Sequence, residues 1–340
     1  MKSMREQASA EKYQDIYFSL EYAQLYEDEN SKAVEYVCEN QYGRITNVFL
    51  KRTIPFRLND HETYFDIITP YGYGGPVIQR LTSPEVKKKL IDSYMVDFQK
   101  YAEHNNIVSE FVRFHPIIGN GIDFKESYQS IFDRKTVGTT LTYDDVITEE
   151  FSKHKRKDIR RILRIPGIRY EIDEEPITLD PFVEIYYSTM ERDNAEEFYY
   201  FKKEYFQQML KSFPQNIVTG KVYYMDQLIA MGVYFRYGKY LHAHLSGTLS
   251  QYLRYSPAYI LKYALALYGH EKGYEVIHYG GGSSRSPDNG LYLFKKEFGK
   301  NTEFDFYIAK KIWNAEIYHQ LVEKANADKN SEFFPAYRKR

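Results

Sequence analysis

Short apolar runs separated by turn residues dominate the first half of the chain. Strands are predicted at residues 32–39, 44–53, 63–69 and 107–114, which are rich in β-branched and aromatic side chains. The glycine- and proline-rich stretch 70–76, which contains Tyr71 and Tyr73, predicts a rigid loop. Ser83-Pro84 predicts the start of a helix that runs to about His104, with Ser83 as its N-cap.

The second half has the same kind of pattern. Helices are predicted at residues 152–163, 180–190 and 201–210, and strands at residues 169–172, 218–224, 227–235, 239–245 and 274–279. Asp226 and Gly238 stand at tight turns, so the three strands around them are predicted to be antiparallel. Ser256-Pro257 predicts another helix start, and this helix is expected to end near Lys272.

Each half places strands before a helix that begins with Ser-Pro and another strand after it. This weak repeat predicts an α+β fold of two tandem units, with mixed, mostly antiparallel sheets flanked by helices and a cleft between the units. The units are predicted at residues 1–149 and 150–310, because the acidic stretch Thr148-Glu149-Glu150 meets a basic helix there. Residues 311–340 are expected to form a last helix, from about 311 to 325, and a tail that packs back on the first unit.

The composition is typical of a globular protein, with 43% hydrophobic and 27% charged residues. The formal net charge of -1 gives no overall attraction to nucleic acid or to a membrane surface, so any anion site must be local. The single cysteine, Cys38, lies in an apolar run and is predicted to be a core residue. No signal peptide and no run of about eighteen apolar residues is evident, so we expect a cytoplasmic protein and no integral membrane segment.

Two segments have features of an anion-binding site. Ser256 is predicted to cap a helix whose first N–H groups face a ligand, and an ordinary capped helix is the alternative. The three glycines after strand 274–279 predict a loop beneath a ligand, with a flexible turn as the alternative. The predicted binding residues in these segments are Tyr252, Arg254, Ser256, Gly280, Gly281, Gly282, Ser283 and Arg285.

Lys295 and His244 are the candidate chemical groups. Lys295 follows Phe294 in an amphipathic segment, where its charge could stabilise an oxyanion; the alternative is a solvated lysine. His242 and His244 are two apart on one strand, so both face the same side. His244 could accept a proton from an amine, and a water or the substrate itself is the alternative acceptor. No third ligand stands at a suitable spacing, so no metal site is predicted.

The basic block at residues 153–164 has two interpretations. It is either a solvated helix face or a patch that binds the phosphates of a nucleotide or of a tRNA end. Base stacking is not indicated, because aromatic residues are not interleaved with the basic ones.

The order of these motifs resembles that of the Fem-type (FemAB-like) transferases, which are built from two GNAT (acetyltransferase-like) units. The resemblance covers almost the whole chain. It rests on residues 65–76, 111–116, 152–164, 187–192, 244–248, 280–282, 291–298 and 333–338.

The resemblance implies transfer of an acyl or aminoacyl group to a primary amine, as in the enzymes that build peptidoglycan cross-bridges. The implied acceptor is a nucleotide- or lipid-linked sugar or peptide, and the implied donor is an aminoacyl-tRNA or an acyl thioester such as acyl-CoA or an acyl carrier. No permanently bound cofactor is implied. The family's Phe-Lys pair falls on Phe294 and Lys295, while Tyr71, Tyr73 and Arg192 lie in its other motifs and are taken as binding residues.

The sequence departs from ordinary GNAT enzymes at residues 251–258, which lack the glycines of the pyrophosphate loop. Binding of acetyl-CoA in the usual way is therefore not supported. Three alternatives stay open: an acyl-CoA- or carrier-dependent N-acyltransferase acting on an amino sugar of a surface polysaccharide, a non-catalytic binder of such precursors, and an RNA-binding protein that uses residues 153–164.

Overall fold

A computed structural model of the chain describes residues 14–58, 62–328 and 331–339. Contacts divide these residues into two compact units. The first unit contains the described residues up to Arg134 and those from Asp305 onward, and the second unit is Lys135–Phe304. No helix among the described residues is both long and apolar enough to cross a lipid bilayer.

Both units contain strands and helices. The strands are β1 Ser31–Asn40, β2 Gly43–Thr53, β3 Phe65–Ile68, β4 Val77–Leu81, β5 Ile107–Arg113, β6 Ile131–Thr140, β7 Ile168–Asp173, β8 Ile217–Tyr224, β9 Gln227–Tyr237, β10 Tyr240–Thr248, β11 Val276–Gly280 and β12 Glu303–Ile312. The helices are α1 Leu20–Gln24, α2 Lys87–His104, α3 Asn120–Asp123, α4 Lys125–Tyr128, α5 Val146–Glu150, α6 Lys153–Ile162, α7 Asp180–Arg192, α8 Lys203–Ser212, α9 Pro257–Glu271, α10 Gly290–Lys296 and α11 Ala315–Lys324.

The sheet of the first unit has the strand order β1-β2-β3-β5-β12, with β4 also paired to β2. All of its neighbouring strands are antiparallel except β3 and β5, which are parallel and are connected through β4 and α2. One face of α2 is apolar, and its buried Leu90, Tyr94 and Phe98 join the core of this unit. The C-terminal tail belongs to the same unit, since the hydroxyl of Tyr337 lies 2.8 Å from that of Ser109 in β5.

A buried carboxyl group lies in the core of the first unit. Glu110 of β5 accepts hydrogen bonds from the Asn47 amide at 3.0 Å, the Tyr128 hydroxyl at 3.0 Å and the Trp313 indole at 3.1 Å. Burial outweighs these donors and raises the pKa of Glu110 from its ordinary 4.5 to about 7. The first unit therefore contains an acid that becomes ionised close to neutral pH.

The sheet of the second unit has the strand order β6-β11-β10-β9-β8-β7. Only β10 and β11 are parallel, and α9 connects them. Helix α9 is apolar almost all round, so it is buried on the sheet with Ile260, Leu261 and Leu265 in the core. The two units thus share one arrangement, in which a helix connects the two parallel strands of an otherwise antiparallel sheet.

The differences from the sequence-based expectations are three strands, one helix start and the unpredicted short helices α1, α3, α4, α5 and α10. Strands β4, β6 and β12 were not predicted, and residues 311 and 312, expected in the last helix, belong to β12. Helix α11 begins at Ala315 instead, because the Asn314 side chain accepts the N–H of Ile317 and caps it there. The other predicted strands and helices are present, with ends that differ by a few residues.

The expected serine caps are also wrong. Ser83 and Ser256 do occupy the N-cap positions, and a proline follows each. Neither side chain accepts a hydrogen bond from the helix. Ser256 lies in the left-handed region, with φ 46°, where its hydroxyl does not reach the N–H groups that it was expected to cap.

We expect the stability of the protein to fall as the pH rises from about 4.5 to about 7, because the folded state holds the Glu110 proton more tightly than the unfolded state. The shift corresponds to about 3 kcal/mol of unfolding free energy. Glu110→Gln cannot ionise, so the difference in unfolding free energy between it and the wild type should change by about that amount between pH 4.5 and 8. Urea unfolding at both pH values measures this. A constant difference would show that Glu110 is ionised in the folded state throughout.

Candidate active site in the second unit

Lys295 lies beside the triple-glycine loop. Its Nζ donates a hydrogen bond to the carbonyl oxygen of Gly281 at 2.6 Å. This contact joins α10, which carries the lysine, to the end of β11, which leads into the loop. Burial lowers the pKa of Lys295 to about 8, and no carboxylate among the described residues forms an ion pair with it.

Asn289 holds the loop in place. Its Oδ1 accepts the N–H of Tyr292 and so caps α10, and it also accepts the N–H of Ser283 at 3.2 Å. Its amide donates to the hydroxyls of Ser283 and Ser284 at 2.9 and 3.1 Å. A Cβ on Gly282 would lie 2.4 Å from Asn289 Oδ1, so only glycine allows this close approach.

Aromatic rings line the space around the lysine. Phe294, Phe298 and Tyr259 are in mutual contact, with ring centroids 5.3 to 5.9 Å apart. Phe298 is fully buried, and its backbone carbonyl accepts a hydrogen bond from Thr139 at 2.7 Å. Phe294 therefore belongs to a packed apolar wall, and the neighbouring Lys295 is partly buried.

Lys262 is a second lysine in the same surroundings. Its Nζ lies 4.1 Å from the centre of the Tyr279 ring and 5.6 Å from those of Phe294 and Phe298. Burial and, secondly, the charge of Lys295 lower the pKa of Lys262 to about 7. The sequence analysis missed this residue, although a signal existed: it is the only charged side chain in the otherwise apolar stretch 257–269.

Arg254 and Tyr252 belong to a second group, in the 3₁₀ helix Ser250–Tyr255 before α9. The Arg254 guanidinium lies over the Tyr255 ring, and this ring stacks on Tyr224 with centroids 4.4 Å apart. The Tyr252 ring lies 6.3 Å from that of Tyr255. These side chains form a small aromatic and cationic surface next to Ser256, which remains a predicted binding surface.

His244 is a poor proton acceptor in this structure. It lies on β10, its Nε2 is 2.8 Å from the Tyr205 hydroxyl, and its ring packs on Phe235 at 4.7 Å. Burial, with His242 as the lesser cause, lowers the pKa of His244 to about 3. A β-bulge between Ala243 and Leu245 interrupts the pairing of β10 with β9 at His244. An imidazole that holds a proton so weakly is a weak base at neutral pH.

Most of the other predicted site residues contact groups other than Lys295. Arg192 donates to the Thr248 carbonyl at 3.0 Å and pairs with Asp193, so it fastens the end of α7 to β10. Arg285 is exposed in the loop that follows the glycines. Of the predicted residues, the structure therefore brings Lys295 to Gly281 of the loop, whereas His244, Arg192, Tyr252 and Arg254 make other contacts.

Tyr71 and Tyr73 belong to the loop of the first unit. The guanidinium of Arg113 donates to the carbonyls of Thr69 and Pro70 at 2.8 and 2.6 Å, which holds the start of this loop. The Tyr71 carbonyl accepts a hydrogen bond from the Tyr22 hydroxyl at 2.8 Å. Tyr73 is partly buried, and its ring packs edge-on against Tyr17. Ligand binding by either tyrosine stays a prediction.

The class of protein is indicated by a family comparison. Residues 150–288, which lie within the second unit, match a family model described as an acetyltransferase (GNAT) domain. This range contains α9 and the triple glycine and ends just before α10.

Individual proteins are similar to this chain over most of its length. The UDP-N-acetylmuramoylpentapeptide-lysine N(6)-alanyltransferase of Weissella viridescens is 21% identical over 347 residues, covering 94% of this chain and 98% of that protein. The crystal structure of FemX matches with a TM-score of 0.67 at 12% identity, over 94% of this chain and 98% of that one. The C-terminal domain of a putative lysylphosphatidylglycerol synthetase from Agrobacterium fabrum matches with a TM-score of 0.55 at 13% identity, over 86% and 88%.

These likenesses confirm the predicted α+β, GNAT-like fold and the predicted resemblance to Fem-type transferases. They also support the predicted enzyme class, an acyltransferase that uses an acyl donor. At 12 to 13% identity the structural matches concern the fold alone.

We expect Asn289→Ala to loosen the glycine loop. It removes the cap of α10, which should cost about 1 kcal/mol of unfolding free energy, and it removes every side-chain contact that Asn289 makes with Ser283 and Ser284. Hydrogen exchange of the amides at residues 281–284 should become faster. Asn314→Ala is the matched control, because it removes a similar cap from α11 in the first unit. Unchanged exchange at Ser283 in Asn289→Ala would contradict this role.

Proposed function

We propose that this chain transfers an aminoacyl or acyl group to a primary amine of a cell-wall precursor. The lysine at the glycine loop carries the proposal, because Lys295 is a desolvated cation with no carboxylate partner among the described residues. Its hydrogen bond to the Gly281 carbonyl fixes where the cation lies. A preorganised cation of this kind stabilises the negative charge that develops on an acyl oxygen during transfer.

The choice of acceptor rests on the relative from Weissella viridescens, whose name specifies a lysine of UDP-N-acetylmuramoylpentapeptide and an alanyl group. That resemblance extends over nearly all of both chains. We therefore propose the ε-amine of a peptidoglycan-precursor peptide as the acceptor, with the nucleotide-linked form as the first compound to test.

In the proposed mechanism the amine attacks the acyl carbon of an ester or thioester directly. The Lys295 Nζ keeps its hydrogen bond to the Gly281 carbonyl and donates another N–H to the acyl oxygen as charge develops there. The rings of Phe294 and Phe298 keep water away, which strengthens this interaction. Collapse of the tetrahedral intermediate forms the amide and releases the hydroxyl or thiol of the donor.

We propose aminoacyl-tRNA as the donor. Helix α6 exposes Lys153, Lys157 and Arg160, and none of them forms an ion pair with a described residue. Lys155 of the same helix donates to the Tyr259 hydroxyl at 2.9 Å, and Tyr259 packs against Phe294. A basic surface that can neutralise RNA phosphates is therefore connected through two contacts to the wall beside Lys295.

We expect Lys295→Met to reduce transfer by about 100-fold or more, the usual effect of removing one oxyanion donor. Single-turnover transfer from aminoacyl-tRNA to the UDP-linked pentapeptide, followed by the mass of the acylated product, measures this. Lys296→Met is the matched control, since that neighbouring lysine pairs with Glu303 at 2.7 Å instead.

Three outcomes of this experiment separate the alternatives. If the wild-type protein acylates its acceptor from acyl-CoA and not from aminoacyl-tRNA, the proposed donor is wrong and acyl-CoA is the donor. A wild-type protein that binds the precursor and transfers nothing would be a binder of such precursors. Equal rates for wild type and Lys295→Met would remove Lys295 from the mechanism.

The basic surface gives a separate prediction for the donor. The double variant Lys157→Ala/Arg160→Ala should bind tRNA more weakly and with a smaller salt dependence, the slope of log Kd against log salt falling by about one for each cation removed. Filter binding between low and moderate salt measures the slope. Lys203→Ala is the control, since this exposed lysine is already paired with Asp180. A slope that is the same in the double variant and the wild type would exclude α6 from RNA binding.

A further inference from the structure

The proposed reaction requires a group that takes a proton from the attacking amine. His244 does not suit this role, because it is buried next to Tyr205 and Phe235 and holds a proton only weakly. Tyr279 hydrogen-bonds to Thr139 at 2.9 Å, and its burial raises its pKa. Neither group offers a basic lone pair at neutral pH.

Lys262 has the surroundings of an amine base. Within the described ranges, no acceptor takes a hydrogen bond from its Nζ and no carboxylate pairs with it. The groups that face it are the rings of Tyr279, Phe294 and Phe298 and the ammonium of Lys295. A lysine that is desolvated beside a second cation is the arrangement that makes an amine neutral and reactive near pH 7.

We propose that Lys262 is the general base of the transfer, with Lys295 as the cation that stabilises the oxyanion. This inference rests on the proposed function. The two lysines differ in their contacts: Lys295 donates to the Gly281 carbonyl, whereas the contacts of Lys262 Nζ within the described residues are ring faces. The hydrogen bond therefore fixes the position of the Lys295 ammonium, while a neutral Lys262 keeps a lone pair that no described donor occupies.

The proton balance is as follows. The neutral acceptor amine forms a C–N bond to the acyl carbon, and one of its N–H protons passes to the lone pair of Lys262 Nζ. The resulting ammonium is stabilised by the Tyr279 ring 4.1 Å away. When the bond between the acyl carbon and the leaving oxygen breaks, this proton passes to that oxygen, and Lys262 is neutral again.

The pKa values agree with this division of roles. The pKa of Lys262 falls to about 7 and that of Lys295 to about 8. Burial lowers both values, and the charge of Lys295 lowers the pKa of Lys262 further, so the surroundings favour loss of the proton from Lys262.

The test compares wild type, Lys262→Met and Lys262→Arg in single-turnover transfer from pH 5.5 to 9. Dividing the wild-type rate by a variant's rate at each pH cancels the titration of the acceptor amine. For both variants we expect this ratio to increase tenfold per pH unit below about 7 and to level off at about 100-fold or more above it. Lys262→Arg keeps the charge, so an active Lys262→Arg would overturn the inference. Lys296→Met should match the wild type throughout.

A second measurement uses the wild-type protein alone, so it does not depend on whether the variants fold. Trace labelling of the wild-type protein with acetic anhydride, analysed by mass spectrometry, reports the protonation of each lysine. Lys262 should become reactive with a midpoint near pH 7, while Lys296 should follow an ordinary lysine. A Lys262 midpoint near that of Lys296 overturns the inference. If the wild type transfers nothing from any donor, the proposed function is wrong, and so is the role of Lys262 that rests on it. If both the wild type and Lys262→Met are active, only the role of Lys262 as the general base is wrong.

Discussion

Partial burial of two lysines, neither of which pairs with a carboxylate of the described residues, is the constraint on which the second unit's candidate site depends. Desolvation alone disfavours an ammonium, and two ammonium groups side by side disfavour each other further. The structure accepts this cost where α9, α10 and the end of β11 meet. Phe294 packs against Phe298 and Tyr259, and burial in these surroundings lowers the pKa of both lysines.

The fold was largely predictable because its strands and helices have strong local patterns. The hairpin turns at Asp226 and Gly238 and the helix start at Pro257 are examples. Strand β12 escaped prediction because charged Lys310 and Lys311 interrupt its apolar pattern, and its pairing with β5 joins residues about two hundred positions apart. Such pairing is a tertiary effect that local propensity does not contain.

The candidate site was predictable only in part. Lys295 and the triple glycine are close in sequence, so one motif contains both. Lys262 lies 33 positions earlier on another helix, and only the parallel pairing of β10 and β11 brings α9 to the same place. Ser256 is a residue that the sequence singled out but whose predicted role as a helix cap is wrong. The Ser-Pro motif is present, but the left-handed backbone at Ser256 keeps its hydroxyl from the N–H groups of the helix. Sequence thus locates residues of recognisable type, and the fold decides which of them meet.

The ring faces around Lys262 have a consequence for the lifetime of the protein. A lone pair that accepts a proton is also a nucleophile, and an activated ester held nearby without its proper acceptor can react with it. The product would be an amide on Lys262, whose nitrogen no longer titrates and no longer acts as a base. Starvation for the acceptor would then inactivate the protein, one molecule for each acyl group misdirected in this way.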